Sequence, residues 1–403
     1  MFDEIRFNRI DNLPKYVFAE INALKAKLIN SGKPVVDFSM GNPDQDTPQH
    51  IVDELCKTAN ESGNHGYSPS QGIPEVLDAI TWWYKDRYGI DLNPKTQVVA
   101  TIGSKDGYST LAYAITNPGD TAVVPTPTYP IHSYSFILAG GVVEDLKLKF
   151  NKNYDIDEDS FFYELNHIFD KAHVKPKYVL VNFPHNPTSA TVTLEFYQKL
   201  VYLAKQRRFY IISDIAYGDI SFGGYKTPSI MEVEGAADVA VESFTVSKSY
   251  NMAGWRIGFF VGNERLIGAL IKLKSWLDYG MFAPIQKATV KALTGNQSCV
   301  DEIIGRYNDR QDLLIEEFKK INWIIHKNKA SMFSWAKIPD EVAYMGSLEF
   351  CKKLLIEEQV AFSPGIGFGD DGEGFVRIAL IQNGKAIKLS AKKIQKFINK
   401  YKK

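Results

Sequence analysis

Seven short apolar runs, each separated from the next by a helix-like stretch, occupy residues 95–262, and this alternation narrows the possible folds more than any other feature of the chain. The runs are QVVATIG (97–103), TAVVPTP (121–127), GVVEDLKL (141–148), KYVLVNF (177–183), FYIISDI (209–215), VAVESF (239–244) and GFFVG (258–262). Strands spaced by helices predict a mostly parallel sheet covered on both faces, and runs that are apolar without alternation fit strands buried on both sides. Polar residues gather just after them: GSKDG after the first run, PTYP after the second, PHNP after the fourth. Asp214 and Tyr217 follow the fifth, and Lys248 follows the sixth. Open parallel sheets bind ligands beyond the carboxyl ends of their strands, so five such ends mark a site.

Beyond about residue 290 the pattern changes to long amphipathic helices (299–320, 347–358 and 384–402) with short strands at 335–339 and 375–380. This predicts an α/β protein of two parts: a large domain (48–290) built on the seven-stranded sheet, and a smaller α+β domain from 1–47 and 291–403. A helix near 263–280 is the expected hinge, and 6–18 the expected lid. The 403 residues are enough for two lobes. The 47 basic and 47 acidic side chains cancel, which gives no electrostatic reason to expect nucleic acid or an anionic membrane. No run of about 18 apolar residues is present to span a bilayer, and the charged N-terminus lacks a secretory core. Three widely spaced cysteines make no disulfide framework, so a cytoplasmic protein is expected.

Taken together, Tyr129, Asn186, Asp214, Tyr217, Lys248 and Arg256 supply an amine, a carboxylate, a phenol, a stacking ring and a guanidinium. Pyridoxal phosphate requires this set. Its aldehyde needs an amine for a Schiff base, its pyridine nitrogen a carboxylate, and its phosphate an arginine, hydroxyls and helix-start amides. Each residue alone has a blander reading: Lys248 as a solvated loop lysine, Asp214 as a helix cap, Asn186 as a turn former, Tyr129 and Tyr67 as packing, Arg377 as an edge-strand arginine. Lys248, Asp214, Asn186 and Arg256 in register outweigh those readings. The glycines of SPGIGFGDDGEG (363–374) resemble a dinucleotide loop but follow no clear strand, and the seven histidines show no metal-ligand spacing, so no metal site is expected. His185, beside Asn186, either lines the pocket or only supports the turn.

The motifs GNPD (41–44), HGYSPSQGIPE (65–75), GSKDG (103–107), PTYPIH (127–132), NFPHNPT (182–188), SDIAYGDI (213–220), SKSYNMAGWRIGF (247–259) and FVRIAL (375–380) resemble, in order and over nearly the whole chain, the fold-type I, class I/II aminotransferases. Within them, SKSYNMAGWRIGFFVGN and DYGMFAPIQ are similar to the bacterial alanine (glutamate–pyruvate) branch. The resemblance implies that Lys248 holds pyridoxal phosphate and shuttles the substrate proton in a ping-pong reaction. Asp214 would pair with the ring nitrogen and Tyr129 would stack on the ring, while Asn186 and Tyr217 would bond the ring oxygen. Ser104, Lys105, Thr245, Ser247 and Arg256 would grip the phosphate. Thr245 stands where many relatives have serine, so the main hydroxyl donor is Thr245 or Ser247.

Arg377 would bind the substrate carboxylate as a bidentate fork, with the Gly41 backbone closing over it, Asn186 beside it and Tyr16 touching substrate. Tyr67 would reach the phosphate of a neighbouring subunit, which implies a homodimer with shared sites. Segment 275–286 carries no arginine for a second carboxylate, which favours alanine as donor to 2-oxoglutarate over aspartate, LL-diaminopimelate or a methionine-type substrate. A β-lyase or decarboxylase on the same scaffold is the less favoured reading. A non-catalytic ligand-sensing regulator would need a DNA-binding module, for which the resemblance leaves no room.

Overall fold

The computed structural model describes residues 6–11, 13, 14, 16–151 and 154–402, so the expected lid is described except at positions 12 and 15. Twelve strands are present among them: β1 Val36–Asp37, β2 Val98–Thr101, β3 Thr121–Thr126, β4 Val142–Lys147, β5 Tyr178–Asn182, β6 Tyr210–Asp214, β7 Ala240–Thr245, β8 Gly258–Gly262, β9 Phe333–Lys337, β10 Val360–Ala361, β11 Ser363–Pro364 and β12 Phe375–Ala379. Seven form one sheet in the order β2-β8-β7-β6-β5-β3-β4. All its pairings are parallel except the two made by β8, which runs antiparallel to β2 and β7. Six co-directional strands therefore open their carboxyl ends on the same edge.

Helices cover both faces because successive side chains of a strand point to opposite sides. Val98, Val123, Val179, Ile211, Ala240 and Phe259 join one apolar core with Ile80, Trp83 and Phe196. Their neighbours Val99, Val124, Leu180, Ile212, Val241 and Phe260 join a second with Tyr108, Leu111 and Leu270. Every residue of β5, β7 and β8 is buried. Edge strand β4 instead exposes Glu144, Asp145 and Lys147, charges that discourage pairing with another chain.

A third core belongs to the second lobe, where Ile21, Phe38, Leu314, Phe350, Leu354, Val376, Ile394 and Phe397 pack together. It backs the antiparallel sheet β11-β12-β9 and the parallel pair β1-β10. Ala216, Tyr217, Ile220 and Phe222, just past β6, also enter this core, so the sheet's carboxyl edge and the second lobe meet at Tyr217. The hinge expectation needs correction. Helix 264–277 packs Leu266, Ile267 and Leu270 into the sheet's second core. Helix 298–319 is the one that contributes to both lobes, with Val300 in the first core and Ile303, Tyr307 and Leu314 in the third. Its Arg310 grips Asp44 with two bonds of 2.7 Å, tying the GNPD loop to the same helix. No described helix is long and apolar enough to cross a membrane.

Candidate active site

A cavity of about 570 Å³ lies between the carboxyl edge of the sheet and the second lobe. Lys248 enters it from the four-residue helix 246–249, not from an open turn; Thr245 at the end of β7 caps this helix by accepting the Ser247 N–H. The Lys248 Nζ donates to the Gly41 carbonyl at 2.5 Å. Burial, aided by Arg377 and Arg256, lowers its pKa to about 8. The protonated form still dominates near neutral pH, but the unprotonated share, which a nucleophile or base requires, is far larger than in an exposed lysine.

Asp214, the last residue of β6, is buried and fixed on both oxygens: Oδ1 accepts the Ala216 N–H, and Oδ2 lies 2.9 Å from His132 Nε2. The other ring nitrogen of His132 lies 3.2 Å from the Thr128 hydroxyl. An Nε2–H tautomer satisfies both contacts, so His132 orients the carboxylate. Asn182 holds the local backbone, donating to the Asp214 carbonyl and accepting the Asn186 N–H. The Asn186 amide donates weakly to the Tyr217 hydroxyl at 3.4 Å, and its oxygen accepts from Arg377 at 2.8 Å. Burial drives the Tyr217 phenol far above its usual range and raises that of Tyr129, so both stay protonated donors.

Two anion-binding ends flank these groups. At one, Gly103 adopts φ +77° to start helix 104–115, and Ser104 and Lys105 in its first turn line the cavity. A Cβ on Gly103 would lie 2.3 Å from Arg256, so only glycine lets the guanidinium approach the helix start. Unpaired first-turn amides and a guanidinium suit a phosphate. At the other end, Arg377 is buried between the rings of Phe333 and Phe368, 4.1 and 4.8 Å from their centroids. It donates to Asn186, to the Ser39 carbonyl at 3.2 Å and to the Ser363 hydroxyl at 3.3 Å, and its Nε has no partner. Burial lowers its pKa to about 10. No carboxylate among the described residues pairs with it, so it is a buried cation awaiting an anion.

The cavity thus gathers Ser104, Lys105, Tyr129, Asn186, Asp214, Tyr217, Thr245, Ser247, Lys248, Arg256, Arg377, Gly41 and Tyr16. Tyr67 is not among them. It is 87% exposed and packs against Tyr279 with the rings tilted by 32° and their centroids 4.6 Å apart. His185 is buried, with its Nδ1 2.7 Å from the Thr188 hydroxyl, so it supports the turn and does not line the cavity. His132, Asn182, Ser39, Phe333 and Phe368 escaped the sequence reading. His132 and Asn182 stood inside motifs already singled out, Ser39 just before GNPD and Phe368 within the glycine-rich stretch 363–374; Phe333 had no local signal.

Comparison with known proteins agrees with this geometry. The family model for aminotransferase class I and II matches residues 33–389. The chain is 48% identical to the glutamate-pyruvate aminotransferase AlaC of Escherichia coli, over 97% of this chain and 93% of that protein. It is 37% identical to the LL-diaminopimelate aminotransferase of Halothermothrix orenii, over 98% and 99%. Among solved structures, substrate-bound BacF from Bacillus subtilis superposes with a TM-score of 0.90 at 32% identity, over 98% of both chains.

Proposed function

We propose that this chain, which belongs to the class I and II aminotransferases, uses pyridoxal phosphate to move an amino group between L-alanine and 2-oxoglutarate. The observation that carries the reading is one cavity holding a depressed lysine amine, a fixed carboxylate and a buried, unpaired arginine. The residues lining the cavity fit the cofactor: Lys248 would hold its aldehyde, Asp214 its ring nitrogen, Tyr129 its ring face, and Asn186 and Tyr217 its ring oxygen. Its phosphate suits the Gly103–Arg256 cradle. There Thr245 Oγ1 lies 2.9 Å from both the Ile257 carbonyl and the Ser247 hydroxyl and has one proton to share between them, so the main hydroxyl donor to the phosphate is Thr245 or Ser247.

When bound, the cofactor supplies an electron sink for the substrate's Cα bonds. Asp214 would keep the ring nitrogen protonated, and the Lys248 amine would take the proton from Cα. Arg377 fixes the substrate carboxylate so that Cα faces the amine, a placement worth roughly 7 kcal/mol or more in well-oriented systems. Gly41 lies close enough to Phe333 that a Cβ would sit 2.9 Å from the ring, so its backbone can close over that carboxylate. Tyr16, half-exposed at the mouth, touches the substrate's outer end. Lys105 lines the same wall and has no ion pair among the described residues, so it offers the second carboxylate of 2-oxoglutarate a cation.

A second reading, transfer from LL-diaminopimelate, is favoured by the relative of that name. We further infer a homodimer in which Tyr67 reaches the partner's phosphate, supported by the exposed Tyr67–Tyr279 pair and by the exposed Trp276 and Phe282 in the same 275–286 segment as Tyr279. We also infer a division at residues 48 and 290 into large and small domains. A cytoplasmic setting is supported by three cysteines that remain free thiols.

The test is a half-reaction. Cofactor-loaded protein is mixed with L-alanine, L-glutamate, L-aspartate or LL-diaminopimelate, and the cofactor absorbance is followed. Fast change with alanine and glutamate and slow change with aspartate is the expected result. Fast change with diaminopimelate and not alanine selects the second reading, and no change with any amino acid removes the function.

A further inference from the structure

The substrate arginine does not meet solvent on its inner side. It meets the carbonyl of Ser39, two residues before the GNPD motif. Ser39 is itself held from behind. Its N–H and its hydroxyl both donate to Asp37 Oδ1, at 2.8 and 2.5 Å. Oδ2 of the same carboxylate accepts from Lys25 Nζ at 2.6 Å, and both side chains are largely buried, 13% and 25% exposed. The Asp37 carbonyl accepts from Gln382 at 2.8 Å, while Ser363 donates to the Ser39 carbonyl at 2.6 Å. Asp37 therefore anchors the N–H and side chain of Ser39, while Ser363 bonds directly to the carbonyl oxygen that accepts from Arg377.

Lys25 lies on helix 17–30, whose first turn carries Phe18 and is preceded by Tyr16. Phe18 packs edge-on against Phe368, with centroids 5.0 Å apart, and Phe368 is one of the two rings that sandwich Arg377. Helix 17–30 thus touches the Arg377 site twice, through an apolar contact at its start and through Lys25–Asp37–Ser39 in its third turn.

We propose that Asp37 is a positioning residue for carboxylate capture: with Lys25 it locks the Ser39 carbonyl onto Arg377 and couples helix 17–30, with its lid residues, to the bound substrate. This rests on the reading of Arg377 as the substrate-carboxylate ligand. Asp37 touches neither substrate nor cofactor. It acts on a buried guanidinium that Asn186, Ser363 and the rings of Phe333 and Phe368 also hold, and whose Nε has no partner. Misaiming one fork of a bidentate pair weakens binding without touching the reacting atoms.

The experiment compares wild type, Asp37→Asn, Asp37→Ala and Lys25→Met, all loaded with pyridoxal phosphate. Two reagents attack the cofactor's aldehyde: aminooxyacetate, which carries a carboxylate, and hydroxylamine, which does not. Expected is a loss of apparent aminooxyacetate affinity of about tenfold for Asp37→Ala and about threefold for Asp37→Asn and Lys25→Met, with hydroxylamine rates and cofactor affinity unchanged. In turnover, KM for the amino acid and the oxo acid rises by similar factors while kcat stays within about twofold. Equal losses with both reagents would show general damage and overturn the proposal. So would an Asp37→Ala protein with wild-type KM. A wild-type protein that reacts with hydroxylamine but has no preference for aminooxyacetate over methoxyamine refutes Arg377 as carboxylate ligand, and the relay with it. Wild type that reacts with neither reagent overturns the cofactor reading itself.

Discussion

Lys248 shows how burial and two nearby cations convert an ordinary side chain into a reagent. Its folded pKa of about 8 lies below the 10.5 of an exposed lysine. Below pH 8 the amine is protonated in both folded and unfolded chains, and the fold carries the full cost of burying the charge. Between about 8 and 10.5 the folded amine is neutral while the unfolded one is not, so stability of the cofactor-free protein rises with pH across that window. The Lys248→Met apoprotein should therefore melt roughly 2–4 °C higher than wild type at pH 7, with the gap closing toward pH 10, while losing all amino transfer. A differential-scanning series against pH reads this directly, and a lower melting point for the variant at pH 7 would show that the amine is not destabilised by burial. Arg377 makes the complementary case. A lysine there would keep the charge and lose the planar fork, so Arg377→Lys should raise KM for every carboxylate substrate by about a hundredfold in steady-state assays and not act as a conservative change.

At the level of the elements, the strands hold their catalytic ends in place from beneath. Glu242 on β7 is buried and accepts from Ser229 at 2.5 Å, the Ile230 N–H at 3.0 Å, Tyr84 at 3.1 Å and Ser213 at 3.2 Å. Ser213 immediately precedes Asp214, and β7 ends three residues before Lys248, so one carboxylate braces both strands. Burial raises the Glu242 pKa to about 7, against the pull of those donors. An acid whose folded pKa exceeds its unfolded 4.5 binds more protons when folded, so its contribution to stability declines as pH rises from 4.5 to 7. Glu242→Gln should flatten that part of the melting curve and leave the Lys248 window above pH 8 unchanged. A pH profile identical to wild type between 4.5 and 7 would refute the assignment. At the start of helix 104–115, Gly103→Ala should lower cofactor affinity at least tenfold in an absorbance titration, because the new Cβ meets Arg256 and the backbone φ is left-handed.

For the whole molecule, the cavity depends on two lobes meeting and, on our reading, on two chains meeting. Tyr67 and Tyr279 pack together on the outer surface beside Phe282 and His65. Trp276→Asp, at an 82% exposed position three residues before Tyr279, should shift the molecular mass in light scattering from dimer toward monomer. Tyr67→Phe should leave the dimer intact and weaken cofactor binding about tenfold, since only the hydroxyl that would reach the partner's phosphate is removed. A dimer with wild-type cofactor affinity in Tyr67→Phe would remove Tyr67 from the shared site.

Much of this protein could be read along one dimension. The seven strands and their parallel order of burial followed from uninterrupted apolar runs, and Lys248, Asp214, Asn186 and Arg256 lay at strand ends where a parallel sheet must bind its ligand. Those signals are local: a run, a spacing, a residue after a strand. What tertiary structure alone decided was non-local. His132 comes to Asp214 from 82 residues away, and Ser39 to Arg377 from 338. The bridging role of helix 298–319 came from which side of it met which core, a choice its amphipathic pattern left open. The sheet put the Lys248 amine, the Asp214 carboxylate and the Gly103–Arg256 helix start on one edge. Only the docking of the second lobe brought the buried guanidinium across the cavity from them, because its site is built from segments that share no neighbourhood until the chain is folded.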